Sequence, residues 1–341
     1  MARAAAPAGW ALWVTLLVLT LVAPGYAQSD DPGRPGLEPF LWRNSGPLTA
    51  PFGLPRARAA TLPAPRALSM DLVFERASHF TVAASAREAV LLDGETSTLV
   101  LRIERGIADG WAASAELVGM RHSGGFLDST IDRWHGWFGL PEGGRDAAPR
   151  DRLLMTWDTD GSQRLLIDEA HAGVGDLRLG IARRLHRSPA RDLALRLDVE
   201  LPTGRASRLT GSGGVDVAAG MALTERRALE RFGVIVHLGA GVLRPDGDDL
   251  VGHRLRSLAG YANWTLAWPV SDRFSIKGQL DGHTALVRSE LRQVGGWSVQ
   301  GGIGGAWQAT PGVAVEVGVF EDLRPGSAPD VTFQFALRGR Y

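Results

Sequence analysis

The chain has 341 residues and a formal net charge of +0, so it lacks the basic surplus that is typical of nucleic-acid-binding domains. It contains no cysteine, which excludes both a disulfide and a thiolate metal site. Its length allows one large domain or two modest ones.

The first residues have the order of a secretory signal peptide. Arg3 precedes the apolar run from Trp10 to Ala23, and the small-x-small pattern from Gly25 to Ala27 follows it. The run is shorter than the about 20 residues that a membrane-spanning helix needs. We therefore expect a signal peptide over residues 1–27 and export through the periplasm, with an uncleaved N-terminal anchor as the alternative.

Residues 28–67 form a proline-rich segment. Proline removes a backbone donor and resists both helices and strand ladders, so we expect an extended tail and not a domain. The prolines are Pro32, Pro35, Pro39, Pro47, Pro51, Pro55, Pro63 and Pro65.

From Leu68 onward, apolar residues recur at every second position. In the clearest case, the run from Leu193 to Leu201 places leucines and a valine on one face and Arg196, Asp198 and Glu200 on the other. Such alternation is typical of strands with one apolar and one polar face. The runs predict about fourteen strands, or about twelve if the weak pair around Leu153 and Leu165 belongs to a loop.

Short and long connections alternate between these runs. Ala108–Gly110 and Ser188–Ala190 are short, whereas Phe80–Glu95 and Arg121–Arg150 are long. Outer-membrane barrels have short periplasmic turns and long external loops. We therefore predict an all-β fold, a single transmembrane antiparallel up-and-down β-barrel over residues 68–341 in the outer membrane, with the tail in the periplasm or the barrel mouth.

Aromatic residues gather near the end of the predicted barrel that has the short connections. They stand at the alternating positions that also carry the outward-facing apolar residues. Rings collect at a membrane interface because one end is apolar and the other tolerates water. The chain also ends on an alternating aromatic strand. We interpret these residues as an interface girdle and insertion signal, with Tyr341 closing the last strand against the first. They are Trp111, Phe232, Trp264, Trp268, Phe274, Trp307, Phe333, Phe335 and Tyr341.

Several motifs resemble a domain-of-unknown-function family of Gram-negative outer-membrane proteins (family 3187). They are RNSGPLTAPFGLPRAR at Arg43–Arg58, the segment Gly124–Asp146, GVGDLRLG at Gly173–Gly180, and LPTGRASRLTGSGGVDVAAG at Leu201–Gly220. The terminal Tyr341 is similar to the insertion signal of outer-membrane barrels. The resemblance covers nearly the whole mature chain and implies an outer-membrane β-barrel, and it brings no substrate and no catalytic residue.

The inward-facing positions carry charges of both signs, which does not indicate a strongly anion- or cation-selective constriction. We predict a channel or transporter for a small solute that runs through this lumen. The alternative is a closed barrel whose lumen is filled by paired charges and which acts in structure or surface interactions through its external loops. The predicted lumen residues are Arg102, Glu104, Glu116, Arg178, Arg196, Asp198, Glu200, Lys277, Asp281 and Arg338.

The segment Phe126–Leu140 has apolar residues at helical spacing and charges opposite them. It is predicted to be an amphipathic helix, which either lies on the outer leaflet or forms a lid in the barrel mouth, or else packs against neighbouring loops.

Five histidines fall near the end of the predicted barrel that has the long loops, and Ser78, Ser123 and Asp281 are nearby in the sequence. The sequence around them contains neither a G-x-S-x-G nucleophile elbow nor an H-E-x-x-H zinc-binding helix. A lipid-modifying enzyme is therefore the least favoured hypothesis, and we expect no catalytic residue, metal or cofactor. The expected partners are outer-membrane lipid and, during insertion, the barrel-assembly machinery. The histidines are His79, His122, His171, His253 and His283.

Overall fold

The computed structural model describes residues 34–129, 149–324 and 326–341. The predicted signal peptide and most of the Phe126–Leu140 segment lie outside these residues. The strands are β1 Leu68–Ala84, β2 Glu88–Ala108, β3 Trp111–Ser123, β4 Leu154–Thr159, β5 Ser162–Ile167, β6 His171–Val174, β7 Leu177–Arg187, β8 Arg191–Leu201, β9 Asp216–Leu229, β10 Val234–Arg244, β11 Ala259–Pro269, β12 Phe274–His283, β13 Ser298–Thr310, β14 Val313–Asp322 and β15 Val331–Arg340. Two short helices, α1 Asp248–Val251 and α2 Arg292–Gly295, lie in loops.

Twelve of these strands close into an antiparallel barrel. Each strand from β7 to β15 pairs with the next, β15 pairs with β1, and β3 joins β2 to β7. The closure includes the terminal residue as predicted, because Leu68 and Tyr341 exchange two backbone hydrogen bonds of 2.8 Å. The predicted fold class is confirmed, with the alternative count of twelve barrel strands.

The remaining three strands extend the sheet beyond the barrel at one end. The hairpin β4–β5 pairs with the upper part of β2, so the weak pair around Leu153 and Leu165 belongs to a loop extension. Strand β6 continues the line of β7 along β3. The prediction of a long loop over Phe80–Glu95 was wrong, because the alternation carries β1 and β2 past the barrel edge in one continuous ladder as far as Ala84 and Glu88.

The two ends of the barrel differ in their connections. At one end the strands are joined by turns such as Asp109–Gly110 and Pro311–Gly312, and we call this the short-turn end. At the other, the long-loop end, the connections include residues 202–215, 245–258 and 284–297. Both Leu68 and Tyr341 lie at the short-turn end.

The polarity of the barrel wall is the reverse of that of a water-soluble sandwich. In β8, Leu195 and Leu197 point outward and are 44% and 42% exposed, while Arg196 and Asp198 point inward and are buried. Charged side chains are rarely buried unless they are paired, so the lumen has to supply partners for them. Among the described residues, no helix is long and apolar enough to span a bilayer.

The described part of the proline-rich tail, residues 34–67, lies inside the barrel. Residues 35–60 are almost entirely buried, and their contacts are with inward-facing side chains of the barrel strands. This corrects the prediction from the sequence. The physical reason is that a twelve-stranded barrel leaves a lumen that its own side chains do not fill, and the tail occupies it.

Candidate functional site

The candidate functional site is the barrel lumen together with the tail that fills it. The tail rises from the short-turn end, turns near the long-loop end and descends to β1. We call residues 34–46 the ascending arm, residues 47–53 the apex and residues 54–67 the descending arm. Arg34 donates to the carbonyl of Asp272 in the β11–β12 turn, whereas Asn44 reaches Ser298 and the β14–β15 loop at the opposite end.

Two rings of the ascending arm sit in an aromatic seat on β13 and β14. Trp42 stacks on Phe320 with ring centroids 4.1 Å apart and planes at 7°, and Phe40 meets Phe320 edge to face at 5.4 Å. The floor is glycine: a Cβ on Gly318 would come within 3.2 Å of both Phe40 and Phe320, and one on Gly304 within 3.0 Å of Phe40. The absence of side chains therefore makes the space that these rings occupy.

Arginines of the descending arm anchor it to carboxylates of the wall. Arg56 donates to Glu75 at 2.6 Å and to Glu116 at 3.2 Å, and all three side chains are buried. Arg58 pairs with Asp198. A buried charge is strongly destabilising without its partner, so these pairs fix the position of the descending arm.

The wall itself carries further ion pairs on the same side of the lumen. Arg102 lies between Asp71, at 3.3 Å, and Glu104, at 2.9 Å. Arg196 reaches Glu104 at 2.9 Å and also donates to the carbonyl of Ala59 on the descending arm. Positive and negative groups thus alternate across neighbouring strands, and the tail backbone takes up part of their hydrogen-bonding capacity.

A second ionic cluster lies under the ascending arm near the short-turn end. Lys277 and Arg338 both donate to Glu316, at 2.7 and 3.2 Å. Glu38 of the ascending arm forms an ion pair with Arg338 at 3.4 Å and accepts a hydrogen bond from Arg340. Where the ascending arm enters the barrel, its carboxylate is therefore paired with arginines of the wall.

The apex packs into an apolar cap formed by the loops of the long-loop end. Leu48 and Phe52 share one cluster with Trp157 of β4 and with apolar residues of the β8–β9, β10–β11 and β12–β13 loops. Arg254 fastens the cap by pairing with Glu88 and, at 2.6 Å, with Asp160. The hydrogen bond from Arg254 lowers the pKa of Asp160, so this pair stays ionised into mildly acidic solution.

The ten predicted lumen residues lie on inward positions of their strands. Nine of them are buried, and Asp281 is half-buried and accepts a hydrogen bond from Gln279 at 2.8 Å. The remaining pairs among them include Arg178 with Glu200 at 2.5 Å. Their role in solute passage stays a prediction.

The predicted girdle residues point outward. Phe232, Trp264, Trp268, Phe274, Trp307, Phe333 and Phe335 are between 41% and 56% exposed, and Trp111 and Tyr341 are half-buried. One placement was wrong: Trp264 lies in the middle of β11 beside Leu238 and Leu280, because the strand runs on to Pro269. Contact of these rings with a membrane interface stays a prediction.

The described start of the Phe126–Leu140 segment lies on the outer surface of the barrel. Leu127 packs against Val331 and Val319, and the backbone N–H groups of Phe126 and Leu127 donate to Glu95. The rest of this predicted helix falls outside the described residues.

The rim histidines are spread over separate contacts. His79 and His122 both contact the hydroxyl of Thr96 at 2.9 Å, and the rings of His122 and His171 are 5.1 Å apart. His283 accepts from Asn44 at 2.9 Å, and His253 lies in the β10–β11 loop. Among the described residues there is no group of three or more His, Asp or Glu side chains that could hold a metal ion.

Sequence reasoning missed the residues of the tail that complete the site. They are Phe40, Trp42, Arg43, Arg56 and Arg58. A usable signal was present, because Arg43, Arg56 and Arg58 stand in a segment that was not expected to form a strand and need carboxylate partners elsewhere. Three of those partners, Glu116, Asp198 and Glu200, were among the predicted lumen residues, whereas Glu75 was not.

The chain belongs to a family. The family described as protein of unknown function (DUF3187) matches residues 14–341, which is nearly the entire sequence. Among curated proteins, none matches this chain.

Solved structures share the architecture. The COG4313 outer membrane channel from Pseudomonas putida F1 is similar with a TM-score of 0.55 at 13% identity, over 82% of this chain and 97% of that one. The NanC porin is a looser match, with a TM-score of 0.43 at 8% identity over 80% and 97% of the two chains. The first similarity shows that this chain shares the β-barrel fold of that protein.

Proposed function

We propose that this protein is an outer-membrane channel or transporter for a small solute, and that the tail gates it. The observation that carries the proposal is the content of the lumen: a separate stretch of chain, residues 34–67, fills the space that the side chains of the wall leave open. Since Arg34 and Leu68 both lie at the short-turn end, the tail can leave through that end without threading past the wall.

The outward apolar surface supports the membrane location. Leucines, valines and aromatic rings cover the outer face along the middle of the strands, while outward charges such as Arg121 and Arg183 lie towards the strand ends. A closed barrel satisfies every backbone donor and acceptor within the sheet, which hydrocarbon requires. In this location the short-turn end faces the periplasm, because transmembrane barrels have short periplasmic turns.

A disulfide lock tests whether passage needs the ascending arm to move. A Cβ on Gly36 would lie 3.7 Å from Cβ of Ala314 on β14, which is within the range of a disulfide. Because the chain has no cysteine of its own, the variant Gly36→Cys/Ala314→Cys forms one defined bond. We expect stepwise conductance in planar bilayers in the reduced state and its loss on oxidation.

The single variants Gly36→Cys and Ala314→Cys, treated with the same oxidant, are the controls and should keep their conductance. Conductance that survives in the oxidised double variant would show that solutes bypass the arm and would end the gating proposal.

The second candidate is a closed barrel that acts through its external loops. The observation that favours it is the apolar cap, which covers the long-loop end and is fastened by Arg254. This candidate predicts a silent bilayer for the wild-type protein under reducing and oxidising conditions alike.

A further inference from the structure

The ascending arm runs alongside β12 in a fixed register. Ser275 donates to the carbonyl of Gly36 at 2.6 Å, Lys277 to that of Glu38 at 3.0 Å and Gln279 to that of Phe40 at 3.3 Å. The separation is 239 residues in each case. Alternate side chains of one strand thus bind alternate carbonyls of a parallel segment, which begins with the 3-10 turn Pro35–Leu37 and is extended from Glu38.

Other strands complete the same pattern. His237 of β10 donates to the carbonyl of Leu37 at 2.9 Å, and Gln334 of β15 donates to that of Leu41 at 3.1 Å. Arg338 reaches the carbonyl of Pro35 at 3.4 Å. Between Pro35 and Leu41, every carbonyl but that of Pro39 therefore accepts a hydrogen bond from the wall.

The wall supplies hydrogen-bond donors, and the backbone of this part of the arm has more carbonyl acceptors than N–H donors. Pro35 and Pro39 have no N–H group, so this part of the arm has fewer donors than carbonyls. Extended proline-containing segments present their carbonyls outward and lose little entropy on binding, which is why grooves with donors and aromatic rings recognise them. The aromatic seat at Phe320 adds two places for side chains.

The two arms are held by different chemistry. The descending arm depends on its own side chains, Arg56 and Arg58, which need particular carboxylates. The ascending arm is held by the side chains of Glu38, Phe40 and Trp42 and, in addition, by a series of backbone carbonyls from Pro35 to Leu41. Any peptide of similar shape is able to make the backbone part of this contact.

We propose that the inner face formed by Ser275, Lys277, Gln279, His237, Gln334 and Arg338 is a binding track for an extended, proline-containing peptide, and that residues 35–44 occupy it in cis. The track becomes available when the ascending arm withdraws. This inference deepens the proposed function and rests on it, since it names such peptides as the class of solute that the channel accepts.

The test uses a fluorescent peptide with the sequence of residues 34–46. In the wild-type chain the tethered arm competes at an effective concentration in the mM range, so the peptide is added to the full-length variant Phe40→Ala/Trp42→Ala. This variant weakens the arm and leaves the track intact. We expect saturable binding by fluorescence anisotropy, and no binding to the oxidised Gly36→Cys/Ala314→Cys protein, in which the arm stays in place.

Further substitutions ask whether the backbone is recognised. Adding Gln279→Leu removes one donor and should weaken peptide binding about fivefold, whereas adding Gln163→Leu on the exposed β5 should leave it unchanged. A peptide with Pro35→Ala and Pro39→Ala adds two N–H groups without partners and should bind more weakly. If the double variant lacks the heat-modifiable gel mobility of a folded barrel, Trp42→Ala alone replaces it.

The outcomes separate the two proposals. No binding to a folded arm variant, or binding that ignores Gln279→Leu, overturns the track. If the wild-type protein conducts and the peptide does not bind, the channel stands and the track fails. If the peptide binds in the stated pattern and the wild-type bilayer stays silent, the track stands and the channel fails.

Discussion

Arg56 shows at the scale of one residue how the tail is held. Its guanidinium group lies between Glu75 and Glu116 on neighbouring parts of the wall, and Gln334 also donates to Glu75 at 3.0 Å. Desolvation makes such a buried group costly, and its partners offset that cost only as long as both signs are present. Loss of the Arg56 charge should therefore lower the stability of the barrel much more than loss of a charge from an exposed ion pair.

We expect Arg56→Met to lower the free energy of unfolding by about 3–5 kcal/mol, because it leaves two buried carboxylates without their main partner. Urea unfolding of the barrel in lipid vesicles measures this. The control is Arg87→Met, which removes ion pairs of a side chain that is 62% exposed and should cost at most about 1 kcal/mol. Equal effects of the two variants would contradict the structural role of Arg56.

At the scale of elements, β13 and β14 are shaped around the ascending arm. The GGIGG run of β13 and Gly318 of β14 are pattern breaks in strands that otherwise alternate. Glycine weakens a strand interior and often marks the close approach of another part of the chain. Here that other part is the pair of rings, Phe40 and Trp42, on the arm.

We expect Gly318→Ala to crowd Phe40 and Phe320 and to cost about 1–3 kcal/mol of unfolding free energy by overpacking. Because the displaced ring belongs to the arm, single-channel recordings should also show a higher open probability. Gly278→Ala is the matched control, since an added Cβ there meets nothing within 4 Å. An unchanged stability and open probability in Gly318→Ala would show that the seat does not hold the arm.

At the scale of the whole molecule, the barrel presents apolar side chains outward and buries its charges in a plugged lumen. This arrangement is stable only if hydrocarbon surrounds the middle of the wall. The outward residues at mid-height and those near the short-turn end should then respond differently to a charge, because the cost of burying a charge depends on depth.

Leu197→Arg, near the middle of β8, is expected to destabilise the barrel by about 2–4 kcal/mol in vesicles, and Leu185→Arg, near the short-turn end of β7, by about 0–1 kcal/mol. Both leucines are more than two-fifths exposed, so burial in the protein does not separate them. Urea unfolding of both variants in the same lipid gives the comparison. Two equally small effects would mean that water surrounds this surface.

The sequence was sufficient for the barrel and insufficient for its contents. The alternation in runs such as Leu193–Leu201 predicted the strands, the two faces of the wall and the ten lumen residues. The count fell from fourteen to twelve strands because a local pattern cannot tell a barrel strand from a hairpin that extends one, as with β4 and β5. The tail was predicted as an extended segment outside the strands of the wall, whereas residues 34–67 contain the 3-10 turn Pro35–Leu37, reverse direction at the apex and lie inside the lumen.

What the sequence alone determined is the part that depends on neighbouring residues: the period of two within the strands and the short turns between them. What only the tertiary structure decided is the partner of the tail. Phe40 and Gln279, or Arg56 and Glu116, are brought together across long stretches of chain by the shape and charge of the lumen. Contacts of this kind leave no periodicity in a proline-rich segment, because neither a strand nor a helix repeats them.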